Sequence, residues 1–379
     1  MRLDLFCTVV DNFGDIGVTW RLARQLRLEH GAQVRVWVDD LATFARLEPS
    51  VDVVASVQTV QGVEIEHWRA DSPIDAAILG EVVIELFACT LDDCLIAGMA
   101  ALPKPPVWIN LEYLSAEAWV HGAHGGLSIH PRTGLHKWFF FPGFTAQTGG
   151  LFRERDYAAR HPIVTSMDAR RAALDKLLGA AAQAHTWPTD ALIVSLFCYP
   201  HALVEAVVAT PAPRPIVWLI PQGALAERAA QAVTAGSQVL PFAFLDQAGY
   251  DTLLNACDVN FVRGEDSFVR AQFAGLPFVW QAYEQAKLAH APKIAAFLAQ
   301  LNPPPAIAEL FMSWNQLPDA KLSVADAWKA ALDGLLSDSV DAAHDWRAHA
   351  AVWRETRLAA PDCATQLLQF VEQKRQNRL

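Results

Sequence analysis

Residues 3–17 read Leu3-Asp4-Leu5-Phe6-Cys7-Thr8-Val9-Val10-Asp11-Asn12-Phe13-Gly14-Asp15-Ile16-Gly17. A run of strand length passes into a turn holding two glycines and two carboxylates, and a helical pattern follows from about Val18. The same order returns far downstream, where Val259–Val262 leads into Arg263-Gly264-Glu265-Asp266-Ser267 and then a helical stretch to Phe273. Strand, glycine-containing turn and helix in that order form the unit of an α/β sheet, and ligands of such sheets collect at the carboxyl ends of the strands.

Working outward, short apolar runs suited to parallel strands buried on both faces occur at Leu3–Val10, Val34–Val38, Val82–Leu86, Val107–Asn110, Leu192–Phe197, Ile216–Ile220, Val259–Val262 and Phe278–Trp280. Helical stretches lie between them, including Thr19–His30, Arg170–Ala182, Tyr250–Cys257 and Ser267–Phe273. The series runs twice. The reading is an N-terminal Rossmann-like domain over 1–180, a C-terminal one over 181–344, and a last helical segment, about 345–379 with Trp346 and Trp353, packing back on the first domain. Two facing Rossmann-like domains with a cleft between them are the glycosyltransferase-B arrangement, although the pattern also suits other ligand-binding α/β proteins.

Composition narrows the class. Of the 379 residues, 53% are apolar and 19% charged, a globular balance. The net charge of −11 comes without any basic stripe, which argues against a nucleic-acid partner. No apolar run reaches the ~18 residues of a membrane span. The opening residues lack the apolar core of a signal peptide, and the six scattered cysteines match no zinc or redox spacing, so a cytoplasmic protein with reduced thiols is expected.

The first loop is not a dinucleotide fingerprint: Gly14 and Gly17 give G-x-x-G, and two carboxylates stand where pyrophosphate would need amides. Asp11 and Asp15 could point into one cleft; alternatively Asp15 or Asn12 caps the helix and Asp11 shapes the turn. In the second loop Ser267 can cap a helix and face a phosphate, and Arg263 can grip a diphosphate with two prongs. Glu265 would then face a sugar hydroxyl or the acceptor. The bland alternative is an Arg263–Asp266 ion pair. Phe197, Tyr199 and Phe244 offer stacking faces for a nucleobase and Gln247 an amide that reads its edge, whereas Phe242 reads as core. His121, His124, His130 and His136 show no ligand geometry, and Asp39-Asp40 and Asp92-Asp93 each read as the opening of a helix or loop.

Four stretches, Asp11-Asn12-Phe13-Gly14-Asp15-Ile16-Gly17, Asn110-Leu111-Glu112-Tyr113-Leu114-Ser115-Ala116-Glu117, Phe139-Phe140-Phe141-Pro142-Gly143-Phe144 with Thr148-Gly149-Gly150, and Arg263-Gly264-Glu265-Asp266-Ser267, closely resemble the bacterial protein-arginine rhamnosyltransferases that modify elongation factor P. The likeness runs from the first strand to at least Gln285. It implies a glycosyltransferase-B fold, TDP-β-L-rhamnose as co-substrate with no cofactor or metal, and inverting transfer to an arginine on the N-terminal domain of elongation factor P. By motif it implies Asp11, Asp15 and Glu265 as catalytic or acceptor-orienting carboxylates, with Asp15 the base. Phe197, Tyr199, Phe244, Gln247, Arg263, Asp266 and Ser267 form the TDP-binding set, and Asn12, Phe13, Gly14 and Gly17 the loop backbone. Competing readings are a related enzyme with another sugar or acceptor, and a nucleotide-binding module without turnover; a pure binder has little use for three acids.

Overall fold

The computed structural model describes residues 1–10, 13–69, 73–87, 89–183, 185–336 and 345–376. The chain divides into two compact units: Met1–Arg155 together with the segment from Ala360 onward, and Asp156–Ala359.

The first unit contains strands β1 (Arg2–Cys7), β2 (Gln33–Val38), β3 (Val57–Val60), β4 (Val63–His67), β5 (Val82–Leu86), β6 (Val107–Leu111), β7 (Leu127–Ile129) and β8 (His136–Phe140). They form one sheet in the order β3-β4-β2-β1-β5-β6-β8-β7. The central pairings are parallel, while β3–β4 and β7–β8 are antiparallel hairpins at the two edges. Alternation along the strands splits the core in two. Leu3, Leu5 and Cys7 face Ile16, Trp20, Leu22 and Leu26 of the helix Phe13–His30, whereas Phe6 and Val83 face Met99 and Trp108.

The second unit holds β9 (Leu192–Leu196), β10 (Ile216–Pro221), β11 (Gln238–Phe242), β12 (Val259–Arg263) and β13 (Phe278–Gln281), all parallel, in the order β11-β10-β9-β12-β13. One face buries Ile193, Val217, Leu219 and Phe242 against Leu174, Leu253 and Ala256. Trp218, Phe261, Trp314 and Trp328 are fully buried and pack ring against ring elsewhere in this unit.

The unit boundary falls near 155 rather than 180. The helix Met167–Leu178 belongs to the second core because Leu174 lies in it and Arg170 is clamped to Asp258, the residue before β12. The C-terminal segment divides as well. The helix Trp346–Ala359 packs within the second unit, where the Trp353 indole donates to the Gln272 side chain at 2.9 Å. Only Cys363–Gln376 packs on the first sheet, through Cys363, Ala364, Leu367 and Val371. Pro361 lies between these two helices. Proline both restricts its predecessor and lacks an N–H, so a helix does not run through it.

Asp258 is 3% exposed and accepts two bonds from Arg170, at 2.8 and 2.6 Å, and one from the Ile193 amide at 2.9 Å. It thereby ties the helix Met167–Leu178 to the starts of β9 and β12. Asp258→Ala leaves the buried Arg170 charge without this partner, so a loss of about 3–5 kcal/mol is expected in denaturant unfolding of the second unit. A change within ~0.5 kcal/mol would show that the clamp is not structural.

Candidate functional site

In each sheet one pair of neighbouring parallel strands sends its connections to opposite sides, which leaves a crevice at the carboxyl ends. In the second unit that pair is β9 and β12, since β10 flanks β9 on one side and β13 flanks β12 on the other. Their register, Val259 opposite Val194 and Phe261 opposite Leu196, brings Phe197-Cys198-Tyr199 beside Arg263. The Arg263 guanidinium lies 4.5 Å from the Phe197 ring centroid and 4.7 Å from that of Tyr199, and Nη1 donates to the Cys198 carbonyl at 3.4 Å. Two ring faces thus orient one half-buried cation. Burial pushes the Cys198 thiol up to about 12 despite the neighbouring Arg263 charge, so it stays protonated and is no nucleophile.

The turn after β12 is shaped by Gly264, at φ +61°, whose carbonyl accepts from the Trp280 indole at 2.7 Å. The helix Asp266–Ala274 follows and ends at Gly275 in the left-handed region. Glu265 occupies the cap position but makes no side-chain cap bond. Ser267 is not the cap either. It is the second residue of the helix, and its hydroxyl accepts from the Arg263 amide at 3.0 Å and donates to the Arg263 carbonyl, bracing the turn. The alternative of an Arg263–Asp266 ion pair is not what forms: Asp266 pairs with Arg270 at 2.7 Å, its neighbour one helical turn on. Gln247 opens the helix Gln247–Ala256 and donates to Asp266 at 3.4 Å. Phe244 is 41% exposed in the preceding loop, while Phe242 is core as expected. Tyr250, not singled out in the sequence, packs edge-on against Phe197 with centroids 5.6 Å apart. An aromatic on the first turn of a helix that leaves a strand end was its only signal.

In the first unit the corresponding pair is β1 and β5. Asp11 and Asn12 lie outside the described residues. The helix begins at Phe13, earlier than the Val18 expected, so Gly14 and Gly17 are helical rather than turn residues. Phe13 lies beneath the Arg46 guanidinium, 5.0 Å from its ring. Asp15 is 1% exposed, in the first turn of the helix; Oδ2 accepts from the Val10 amide at 2.8 Å and Oδ1 from the Tyr113 hydroxyl at 3.1 Å. It is therefore not the residue before the helix but the one that closes the loop back on β1. Tyr113, in the loop after β6, stacks on Phe87 with centroids 4.8 Å apart. In the same loop Glu112 accepts from Asn110, and Glu117 accepts from the Ser115 hydroxyl at 3.1 Å. Phe141 and Gly149 join by a backbone bond at 2.7 Å, which closes the glycine-rich loop beyond β8.

The remaining candidates fall outside this machinery. Asp40 and Asp92 cap helices, accepting from the Thr43 and Leu95 amides. His124 accepts from the Phe141 amide, and burial lowers its pKa. His121 bonds Thr145 and His130 bonds Thr133. Among the described residues no group of three or more His, Cys, Asp or Glu is placed to hold a metal ion. Among them, too, no helix is long and apolar enough to cross a membrane.

Two Rossmann-like sheets with side chains gathered at their switch points are the architecture of the glycosyltransferase-B fold. Solved structures with that fold overlay on almost the whole chain: a plant glycosyltransferase, UGT2 of Phytolacca americana, at 10% identity, covering 98% of this chain and 99% of that one with a TM-score of 0.54, and MurG of Acinetobacter baumannii at 12%, with the same coverage and a TM-score of 0.51. At that identity they speak for the fold alone. A structure described as the basis for EarP-mediated arginine glycosylation of translation elongation factor EF-P matches at 30% identity, covering 98% of this chain and 99% of that one, with a TM-score of 0.61. Protein-arginine rhamnosyltransferases of Pseudomonas putida and Pseudomonas aeruginosa are 42% and 39% identical to it, over 97% of this chain and 97% and 98% of theirs. The chain belongs to the elongation factor P (EF-P) rhamnosyltransferase family, EarP, which it matches over residues 3–372.

If the two rings orient Arg263, Phe197→Leu should keep the apolar volume and lose the face that holds the cation. Calorimetric affinity for TDP is expected to fall by about three- to tenfold, the worth of one partly desolvated cation–π contact. An unchanged affinity would separate Phe197 from the placement of Arg263.

Proposed function

We propose that this protein transfers L-rhamnose from TDP-β-L-rhamnose to an arginine side chain on the N-terminal domain of elongation factor P, in the cytoplasm, with inversion and without a metal ion. The observation that carries the reading is Arg263, oriented by two rings at the carboxyl end of β12 and followed at once by a helix N-terminus. Together they offer a fixed cation and the positive end of a helix to a diphosphate. The charge that grows on the departing TDP is met there, a role for which many transferases use a metal. Phe244 and Tyr250 supply ring surface for the base, and Gln247 its polar contact.

On the acceptor side the difficulty is chemical. A guanidinium is delocalised, with a pKa above about 12, and is a poor nucleophile. In a single displacement one of its nitrogens bonds to the anomeric carbon, the bond from that carbon to the diphosphate oxygen breaks, and the nitrogen gives up a proton. Asp15 is the proposed recipient. Its carboxylate is held from two directions, by the Val10 amide and the Tyr113 hydroxyl, so it need not reorganise as the bond forms. Asp11 and Glu265 are proposed to fix the guanidinium plane. Attack opposite the leaving group turns a β-linked donor into an α-linked product.

The test incubates the purified protein with TDP-β-L-rhamnose and intact elongation factor P, weighs the acceptor, and assigns the anomeric configuration of the product by NMR. A gain of one deoxyhexose, α-linked to arginine, is the expected result. An unmodified acceptor would contradict the proposed substrates, and a β linkage the inverting step.

A further inference from the structure

Strand β13 lies at the edge of the second sheet beside β12, with Trp280 opposite Val262 and Gln281 opposite Arg263. Both residues at its end reach the turn that carries Arg263. The Gln281 carbonyl accepts from the Gly264 amide at 3.1 Å, and the Trp280 indole donates to the Gly264 carbonyl at 2.7 Å. The glycine that turns the chain between Arg263 and Glu265, at φ +61°, is thus held by both of its backbone groups. The Gln281 side chain is 2% exposed and reaches further: its Oε1 accepts from the Tyr199 amide at 2.8 Å, in a buried bond to the loop after β9. Its Nε2 lies 3.3 Å from Nε2 of His201, whose ring stacks on Tyr199 with centroids 5.9 Å apart. Both ends of the amide engage one loop.

The consequence is geometric. The paired register of β9 and β12 ends at Leu196 and Phe261, with the Phe197 amide on the Phe261 carbonyl, short of both Tyr199 and Arg263. Past that point Gln281 spans the two loops, gripping the Arg263 turn by its carbonyl and Tyr199 by its side chain. The strand end that does this is itself fixed. On its outer side Asn315 donates to the Trp280 carbonyl at 2.7 Å and accepts from the Ala282 amide at 2.9 Å, standing in for a neighbouring strand. We infer that Gln281, assisted by Trp280, is a positioning residue that sets the spacing between Arg263 and the Tyr199 ring, and with it the aim of the guanidinium at the donor diphosphate. The inference rests on the reading of Arg263 as the diphosphate-binding cation, and it gives the end of β13 a function beyond closing the sheet.

The experiment is titration calorimetry with TDP and inorganic pyrophosphate on the full-length protein, on Gln281→Met and Trp280→Phe, on Arg263→Ala, and on each of the first two variants combined with Arg263→Ala. Folding is checked by circular dichroism. Methionine keeps the length of the side chain and removes the amide acceptor. Phenylalanine keeps a ring on Phe268, where the indole stacks with centroids 4.1 Å apart, and removes the donor to Gly264. Gln281→Met and Trp280→Phe should each weaken TDP and pyrophosphate by about three- to tenfold, the net worth of one hydrogen bond. Added to Arg263→Ala, either change should alter TDP affinity by less than about twofold, because its effect passes through Arg263. If Gln281→Met does not fold, Trp280→Phe makes the same comparison with and without Arg263. Unchanged affinities in folded variants would overturn the inference and leave the donor reading intact. Losses of equal size with and without Arg263 would overturn it in favour of a purely structural role. Normal TDP binding by Arg263→Ala would overturn the donor reading and the inference together.

Discussion

A parallel sheet opens a crevice at its carboxyl edge only where two adjacent strands send their chains to opposite sides, and each unit of this protein contains one such pair. Everything assigned to chemistry depends on that constraint. In the second unit the β9–β12 pair fixes which loops are neighbours, and the parallel register then decides that Arg263 meets the rings of Phe197 and Tyr199. In the first unit the β1–β5 pair places the carboxylate of Asp15 where the loops beyond β1 and β6 converge on it through Val10 and Tyr113.

Charge is distributed in two ways in these units. Asp258 with Arg170, and Asp4 with Arg35 at 2.6 Å, are buried pairs whose Coulombic gain does little more than offset desolvation; their value lies in fixing where elements cross. Arg263 differs, being half-buried and held by ring faces rather than by an acid. A cation neutralised by Asp266 would have little attraction left for a diphosphate. The pairing of Asp266 with Arg270 keeps that carboxylate occupied elsewhere, so the architecture that buries one arginine leaves the other available to an anion.

Most of the parallel strands were legible in the sequence because burial on both faces makes them nearly all apolar, as in Val82–Leu86 and Leu192–Leu196, whereas the half-buried parallel edge strand β11 was not read. The edge hairpins were not: β3 reads Val57-Gln58-Thr59-Val60 with its first residue 57% exposed, and β7 is three residues long. The loops proposed to carry chemistry stand out in the sequence because carboxylates and an arginine beside glycines at strand ends are costly without a purpose. What could not be read was the partner of each side chain. Ser267 looks like a cap and is a brace, Tyr113 gives no sign of reaching Asp15, and the link from Arg270 to Asp251 spans two helices whose packing no local pattern encodes. Unit membership failed for the same reason, since a helix after a long loop joins whichever core its apolar face fits, as Leu174 does in the second.

The central claim is that Asp15 is a base acting on an arginine, and Asp15→Asn tests it most directly. Asparagine keeps the shape, accepts from the Val10 amide through its carbonyl and can donate to the Tyr113 oxygen through its NH2 group, but it cannot take up a proton. With TDP affinity measured by calorimetry and transfer followed by the intact mass of elongation factor P, the account predicts near-normal TDP binding and a rate lower by ~10²–10⁴. Near-normal turnover in that variant would contradict it.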